Sequence, residues 1–139
     1  KELLEDYSLR GKEQGSEAVD AIILDFHAEA TSEKAALAWF LDGQISALLG
    51  THTHVPTADE KILPQGTAFI SDVGMVGPMD SILGADKEII IKRFLTQRLF
   101  KIEPAVGTKA EVNGVLLDIN DSTGLAQKID RIRRLIVLE

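Results

Sequence analysis

Residues 20–50 read DAIILDFHAEATSEKAALAWFLDGQISALLG and decide the fold of this 139-residue chain. The apolar run from Asp20 to Phe26 is typical of a parallel strand that is buried on both faces. A second short apolar run follows from Ile45 to Gly50 and predicts another strand. Two parallel strands need a crossover between them, so the segment predicts a βαβ unit.

The residues between these two strands carry the signals of a helix. Thr31 and Ser32 are favourable N-cap residues, and Glu33 suits the positive end of a helix dipole. The sequence from Ala35 to Leu41 is apolar and predicts a largely buried helix that ends at Gly43. The crossover of the βαβ unit is therefore expected to be this helix.

Further elements are predicted on the C-terminal side. They are a third strand from Thr67 to Ser71, an amphipathic helix from Asp86 to Gln97, and strands over Leu99–Val106, Ala110–Asn120 and Leu125–Leu138. The last segment also fits a helical stripe. Together with the βαβ unit, they predict an α/β fold with a β-rich C-terminal segment.

The N-terminal residues have a different character. Lys1 to Leu9 predict the end of a charged helix, and Arg10 to Ser16 predict a polar connector. We expect a single domain over residues 1–139, in which residues 1–19 form the incoming helix and connector, 20–98 the βαβ region and 99–139 the β-rich tail. Since the sequence starts without methionine or a capping residue, we expect the natural chain to continue upstream.

Composition excludes several classes of protein. The chain has 45% hydrophobic residues and a formal net charge of −7, which argues against global disorder and against strong binding to nucleic acid. No apolar stretch approaches the roughly 18 residues that a membrane span requires. The absence of cysteine excludes disulfides and thiol chemistry, and a reducing cytoplasm is the simplest expectation. An acidic protein that handles a phosphate ester needs a local cation, such as a metal ion.

The three histidines of the chain are the strongest candidates for a site. His27 follows the first predicted strand, while His52 and His54 follow the second, at the carboxyl edge where α/β sheets place their ligands. The side chains of an H-x-H element point to one side of an extended segment, so the three rings can converge. Imidazole binds metal ions without a thiol. Loop histidines that only bond the backbone are the alternative.

Acidic residues near the histidines are candidates for supporting groups. Asp25 precedes His27 by two residues and is expected to orient its ring, although a purely structural carboxylate is equally plausible. Asp72 ends the third predicted strand and can orient a ligand or stabilise a turn. Glu29 is interpreted as a solvated loop residue, and the turn from Gly74 to Pro78 as a loop with unusual backbone angles.

Two separated motifs resemble a known family. They are Asp25-Phe26-His27-Ala28-Glu29-Ala30-Thr31-Ser32-Glu33-Lys34 and Gly50-Thr51-His52-Thr53-His54. The segments Ser71-Asp72-Val73-Gly74-Met75-Val76-Gly77-Pro78 and Ile82-Leu83-Gly84 extend the similarity. The sequence resembles the YmdB-like branch of the calcineurin-type metallophosphoesterases from about Asp20 to its C-terminus.

This resemblance implies a four-layer α/β/β/α sandwich with two metal ions, usually iron or manganese. His27 and His52 would bind one metal, and His54 the other. The implied reaction is the hydrolysis of 2′,3′-cyclic nucleotides, in which two cations hold a hydroxide and neutralise the phosphoryl oxygens. Asp25 and Asp72 would support the ligands, and the implied partner is a small phosphodiester substrate.

The similarity covers only the C-terminal half of such an enzyme. The Asp-containing, Glu-Asn and Gly-Asn-His motifs that open the family do not occur in these residues, so the group that assists the leaving group is unknown. We therefore expect a partner, which is either a further N-terminal half or a homo-oligomer. A non-catalytic binding module and a mononuclear three-histidine hydrolase are the alternatives.

Overall fold

A computed structural model of the chain describes residues 4, 7–9 and 17–137. The strands are β1 (Tyr7–Leu9), β2 (Glu17–Val19), β3 (Ile23–His27), β4 (Ala47–Thr51), β5 (Lys61–Ile62), β6 (Ala68–Ile70), β7 (Val76–Pro78), β8 (Lys109–Ile119) and β9 (Ala126–Val137). The helices are α1 (Thr31–Phe40) and α2 (Lys87–Thr96). The predicted mixed α/β fold is confirmed.

The central sheet has the strand order β3-β4-β6-β5. Strands β3, β4 and β6 are parallel, while the short strand β5 pairs antiparallel with β6. Helix α1 connects the parallel neighbours β3 and β4, which confirms the predicted βαβ unit. The carboxyl ends of three strands consequently meet at one edge of this sheet.

The two faces of the central sheet carry separate hydrophobic cores. Leu48 and Phe69 pack on one face with Ala38 of α1 and with Leu41. Ala47, Ala68 and Ile70 point to the other face, where they pack against Ala126 and Ile129 of β9. Alternation along the strands produces this division, because neighbouring side chains point to opposite faces.

The second sheet is antiparallel, with the order β7-β8-β9. Strands β8 and β9 form a long hairpin with a register irregularity between Asp118 and Ile119. The C-terminal segment that also fitted a helical stripe is thus a strand, because Ile129 uses this pairing to reach the core of the central sheet. Helix α1, the central sheet and the second sheet are therefore stacked as three layers.

Three predictions about local structure were wrong in the central and C-terminal regions. The first strand is not buried on both faces, because β3 lies at the sheet edge and alternates between exposed and half-buried residues. Helix α1 is not largely buried, since Trp39 and Phe40 are more than half exposed. Leu99–Val106 is not a strand; Pro104, which lacks an N–H group, makes only an isolated bridge to Ala85.

The predicted N-terminal helix is also wrong where the structure describes it. Tyr7–Leu9 form β1 and pair in parallel with β2. Burial of Leu9, which is 1% exposed, outweighs the helical pattern of its charged neighbours. The predicted connector from Arg10 to Ser16 lies outside the described residues. No helix within the described residues is long and apolar enough to span a membrane.

Candidate metal centre

Three strand ends bring the predicted site residues to one edge of the central sheet. His27 is the last residue of β3 and pairs in register with Thr51, the last residue of β4. His52 and His54 follow β4 directly, and Asp72 lies just beyond β6. The three histidine side chains are exposed, whereas Asp72 is only 1% exposed. The parallel register therefore places the histidines at the predicted edge of the sheet, but it does not bring the three rings together as the sequence predicts.

The rings of His27 and His52 lie in direct contact. Nε2 of His27 is 3.2 Å from Nδ1 of His52, and the ring centroids are 5.1 Å apart in an edge-on arrangement. Two imidazole nitrogens that bind one metal at about 2.1 Å are separated by roughly 3.0 Å in octahedral and roughly 3.4 Å in tetrahedral geometry. The observed separation falls between these values. It is also the length of a hydrogen bond, so the contact suits either a proton between the two rings or two ligands of one cation.

A hydrogen-bonded chain sets the tautomer of His27. The hydroxyl of Thr51 donates to Oδ1 of Asp25 at 3.2 Å, so its oxygen is left to accept from Nδ1 of His27, also at 3.2 Å. The proton on Nδ1 leaves the lone pair on Nε2, which is the nitrogen that faces His52. Asp25 thus orients His27 through Thr51 rather than by direct contact.

His54 makes a separate set of contacts. Its Nδ1 donates to the backbone carbonyl of Leu83 at 3.0 Å, because a carbonyl oxygen can only accept. Its Nε2 therefore carries a lone pair that is available to a cation. Within residues 4, 7–9 and 17–137, no group of three or more His, Cys, Asp or Glu side chains is arranged to hold a metal ion. The three rings thus form one contacting pair and one separate ring rather than a single cluster.

The backbone at His52 and His54 is strained. The φ angles are 139° at His52 and 64° at His54, in a region that side chains other than glycine rarely adopt. Strain of this kind persists where surrounding contacts enforce it, and it concentrates at functional sites. Thr53 lies between the two residues, and its backbone N–H attaches the loop to Asp72.

Asp72 holds this loop through the backbone. One of its carboxylate oxygens accepts from the N–H of Thr53 at 2.7 Å, and the other accepts from the N–H of Gly74 at 2.9 Å. The ammonium of Lys34 lies 3.4 Å from the same carboxylate. Burial raises the pKa of Asp72, but these hydrogen bonds and the lysine charge outweigh burial and hold the pKa below 3.8.

A cavity of about 330 Å³ opens beside His54. Met75, Leu83, Glu111 and Asn113 belong to its lining. The carboxylate of Glu111 is fixed by Arg133 at 2.7 Å and by the amide of Asn113 at 2.9 Å. The hydrogen bond from Arg133 is the main reason that the pKa of Glu111 lies below 4.5. A mixed apolar and anionic wall thus adjoins His54.

Sequence reasoning missed Thr51, Lys34 and Leu83 as parts of this arrangement. The contact of Thr51 could have been predicted from the strand register, since the end of β4 must lie beside His27. Lys34 had a local signal, because it precedes buried Ala38 by one helical turn and so lies on the buried face of α1. Nothing in the local sequence indicates that the carbonyl of Leu83 reaches His54.

Comparisons with known proteins define the class. The family model for YmdB-like proteins matches residues 6–132, and the chain belongs to this family. The 2′,3′-cyclic-nucleotide 2′-phosphodiesterase of Bacillus subtilis is 54% identical over 132 residues, which cover 93% of this chain and 50% of that protein. The chain thus spans about half the length of this relative.

Solved structures agree with this assignment. A crystal structure of a hypothetical protein from Thermus thermophilus matches with a TM-score of 0.82 at 41% identity, over 97% of this chain and 48% of that one. The crystal structure of a novel phosphatase from Mycoplasma pneumoniae matches with a TM-score of 0.78 at 41% identity, over 86% and 42% of the two chains. The fold is therefore shared with chains about twice as long.

Proposed function

We propose that this chain supplies three histidine ligands to the metal centre of a phosphodiesterase that hydrolyses 2′,3′-cyclic nucleotides. The contact between Nε2 of His27 and Nδ1 of His52 at 3.2 Å carries the proposal, because this spacing suits two ligands of one cation. The 54% identity to the Bacillus subtilis phosphodiesterase supports the substrate class. The proposed centre holds two metal ions, iron or manganese.

The proposed division of ligands follows from two separate contacts, one between His27 and His52 and one between His54 and Leu83. His27 and His52 share one metal ion, and His54 binds the other through the nitrogen that does not contact Leu83. When bound, the metal ions supply positive charge for the phosphoryl oxygens and activate a water molecule. His27 and His52 would give up the hydrogen bond between their rings in order to hold the cation.

Residues of this chain contribute orientation rather than proton transfer. Asp25 and Thr51 fix the ring of His27, while Asp72 fixes the loop that carries His52 and His54. The cavity beside His54 provides space for the organic part of the substrate. Catalytic groups and acidic metal ligands are assigned to a further N-terminal half, and the complete domain is proposed to be a four-layer α/β/β/α sandwich.

The enzymatic proposal is tested by hydrolysis of 2′,3′-cyclic AMP in the presence of manganese. The chain is assayed alone and with the portion of the Bacillus subtilis relative that lies outside the matched residues. We expect activity only with the added half, and at least about a hundredfold loss in the His52→Ala, His54→Ala double variant. Exposed Gln127→Ala serves as the control. Activity that survives the loss of both histidines contradicts the proposal.

A partner chain is part of the same proposal. An apolar groove of about 560 Å³ runs along β3 and α1, and its lining includes Ile23, Phe26 and Phe40. In the described part of the chain, β3 pairs on one side only, so it offers a free strand edge beside this groove. Either the further half or a second copy of the chain is proposed to cover it. Sedimentation of the chain with and without the added half distinguishes the two.

A further inference from the structure

Lys34 is buried where a charged side chain is costly. Its side chain is 1% exposed, and it lies on α1, far along the chain from its ion-pair partner Asp72. Burial of an ammonium group is unfavourable without a well-placed counter-charge, and an apolar residue at such a site is often as stable. Packing alone therefore does not explain why a lysine occupies this position.

The carboxylate of Asp72 connects Lys34 to the histidine loop. Nζ of Lys34 and the N–H of Thr53 share one oxygen of Asp72, at 3.4 Å and 2.7 Å. Thr53 is flanked by His52 and His54, both with positive φ. The bond to the Thr53 amide thus restrains the backbone between the two histidines. Without the ammonium, the buried carboxylate would lose its nearest cation.

The stem of Lys34 supports the start of the same loop. A Cβ atom added to Gly50 would lie 2.9 Å from Cδ of Lys34 and 1.9 Å from the carbonyl oxygen of Ser71. The lysine stem therefore runs directly beneath the backbone that leads into Thr51 and His52. Both the charged and the apolar part of Lys34 contact the structure that positions the histidines.

We propose that Lys34 is a positioning residue for the His52–His54 loop. Its ammonium pairs with the buried carboxylate of Asp72 and keeps it directed at Thr53, and Asp72 then maintains the strained backbone of both histidines. Lys34 touches neither histidine ring. The inference rests on the proposed function for the identity of the bound group, whereas the placement of the loop stands independently of it.

The experiment compares Lys34→Met, Asp72→Asn and the double variant in the full 139-residue chain. Amide hydrogen exchange of Thr53 is measured by NMR relative to Leu48 of β4, and the affinity for Mn²⁺ is measured separately. We expect Lys34→Met to accelerate Thr53 exchange relative to Leu48 by about tenfold or more and to weaken Mn²⁺ binding by about ten- to a hundredfold. Exposed Lys87→Met is the control and leaves both values unchanged.

The double variant separates positioning from simple stabilisation. It removes both buried charges, so the free energy of unfolding should recover toward that of the unmodified chain. An amide at position 72 cannot accept from both Thr53 and Gly74, because one side of it is a donor. We therefore expect Thr53 exchange and Mn²⁺ binding to stay impaired in the double variant.

Two results overturn the proposal. One is unchanged Thr53 protection in Lys34→Met; the other is full recovery of Thr53 protection together with stability in the double variant, which indicates a merely structural pair. If the unmodified chain fails to bind Mn²⁺, the proposed function fails instead. The exchange of Thr53 then still decides the role of Lys34, since that measurement needs no metal.

Discussion

At the scale of single residues, the site depends on close backbone contacts that leave no space for a larger side chain. The backbone of Gly50 passes next to the carbonyl of Ser71 and the stem of Lys34. Asp72 and Thr53 then hold the loop that follows. The positions of His52 and His54 therefore depend on the backbone and side chains packed around their loop.

Substitution of Gly50 by alanine should strongly destabilise the protein. The added Cβ would meet the carbonyl oxygen of Ser71 at 1.9 Å, so the β4 and β6 ends must separate. We expect a loss of about 3 kcal/mol or more in the free energy of unfolding, measured with urea. Gly114→Ala is the matched control, because no atom lies within 4 Å of its Cβ position. Equal stability of the two variants would contradict the described packing.

Asp59 should contribute stability that depends on pH. Burial raises its pKa, but hydrogen bonds from Ser71 and Thr57 outweigh burial and lower the pKa below 3.8. The folded state therefore binds a proton less readily than the unfolded chain. Stability from this group is present above about pH 4 and is lost as the pH falls through the lowered pKa.

The measurement is chemical unfolding of the unmodified chain and of Asp59→Asn between about pH 6 and pH 2. We expect the free energy of unfolding to decline less steeply toward acidic pH in the variant, although the variant is less stable at pH 6. A variant with the same or a steeper acidic decline would show that Asp59 is not held as an ionised acceptor.

At the scale of secondary-structure elements, the hydrophobic pattern of the sequence predicts local strands correctly. It fails where tertiary contacts determine the type or the burial of an element. The run from Asp20 to Phe26 correctly predicts β3, because short apolar strands carry a strong signal. Its exposed edge was not predictable, since exposure depends on which strand lies beside it. The helical stripe of Ile129 and Ile132 was ambiguous for the same reason. Only the pairing with β8 determines that β9 is a strand.

Two substitutions in β9 test this strand assignment. Ile129 is 9% exposed and packs against the central sheet, whereas Leu135 is 59% exposed. We expect Ile129→Ala to reduce the free energy of unfolding by about 2–4 kcal/mol, and Leu135→Ala to change it by less than about 0.5 kcal/mol. Denaturant unfolding monitored by circular dichroism measures both. Similar losses in the two variants would contradict the register of the hairpin.

At the scale of the whole molecule, an acidic chain with the proposed phosphodiester substrate would need a local cation to attract it. The net charge is −7, and the sheet edge gathers three imidazoles rather than a basic patch. The order of the strands along the sequence was sufficient to place all three histidines at this edge. The separation of His54 from the other two was not predictable, because it depends on the distant carbonyl of Leu83.

The central claim is that His27 and His52 bind one metal ion together. It is tested by elemental analysis of the purified chain after dialysis against manganese or iron, with a His27→Ala, His52→Ala double variant and the Gln127→Ala control. We expect about one metal ion or more per chain in the unmodified protein and in the control, and a loss of at least about one in the double variant. An unmodified chain that holds no metal, or a double variant that holds as much as the unmodified chain, would show that His27 and His52 do not bind a metal ion together.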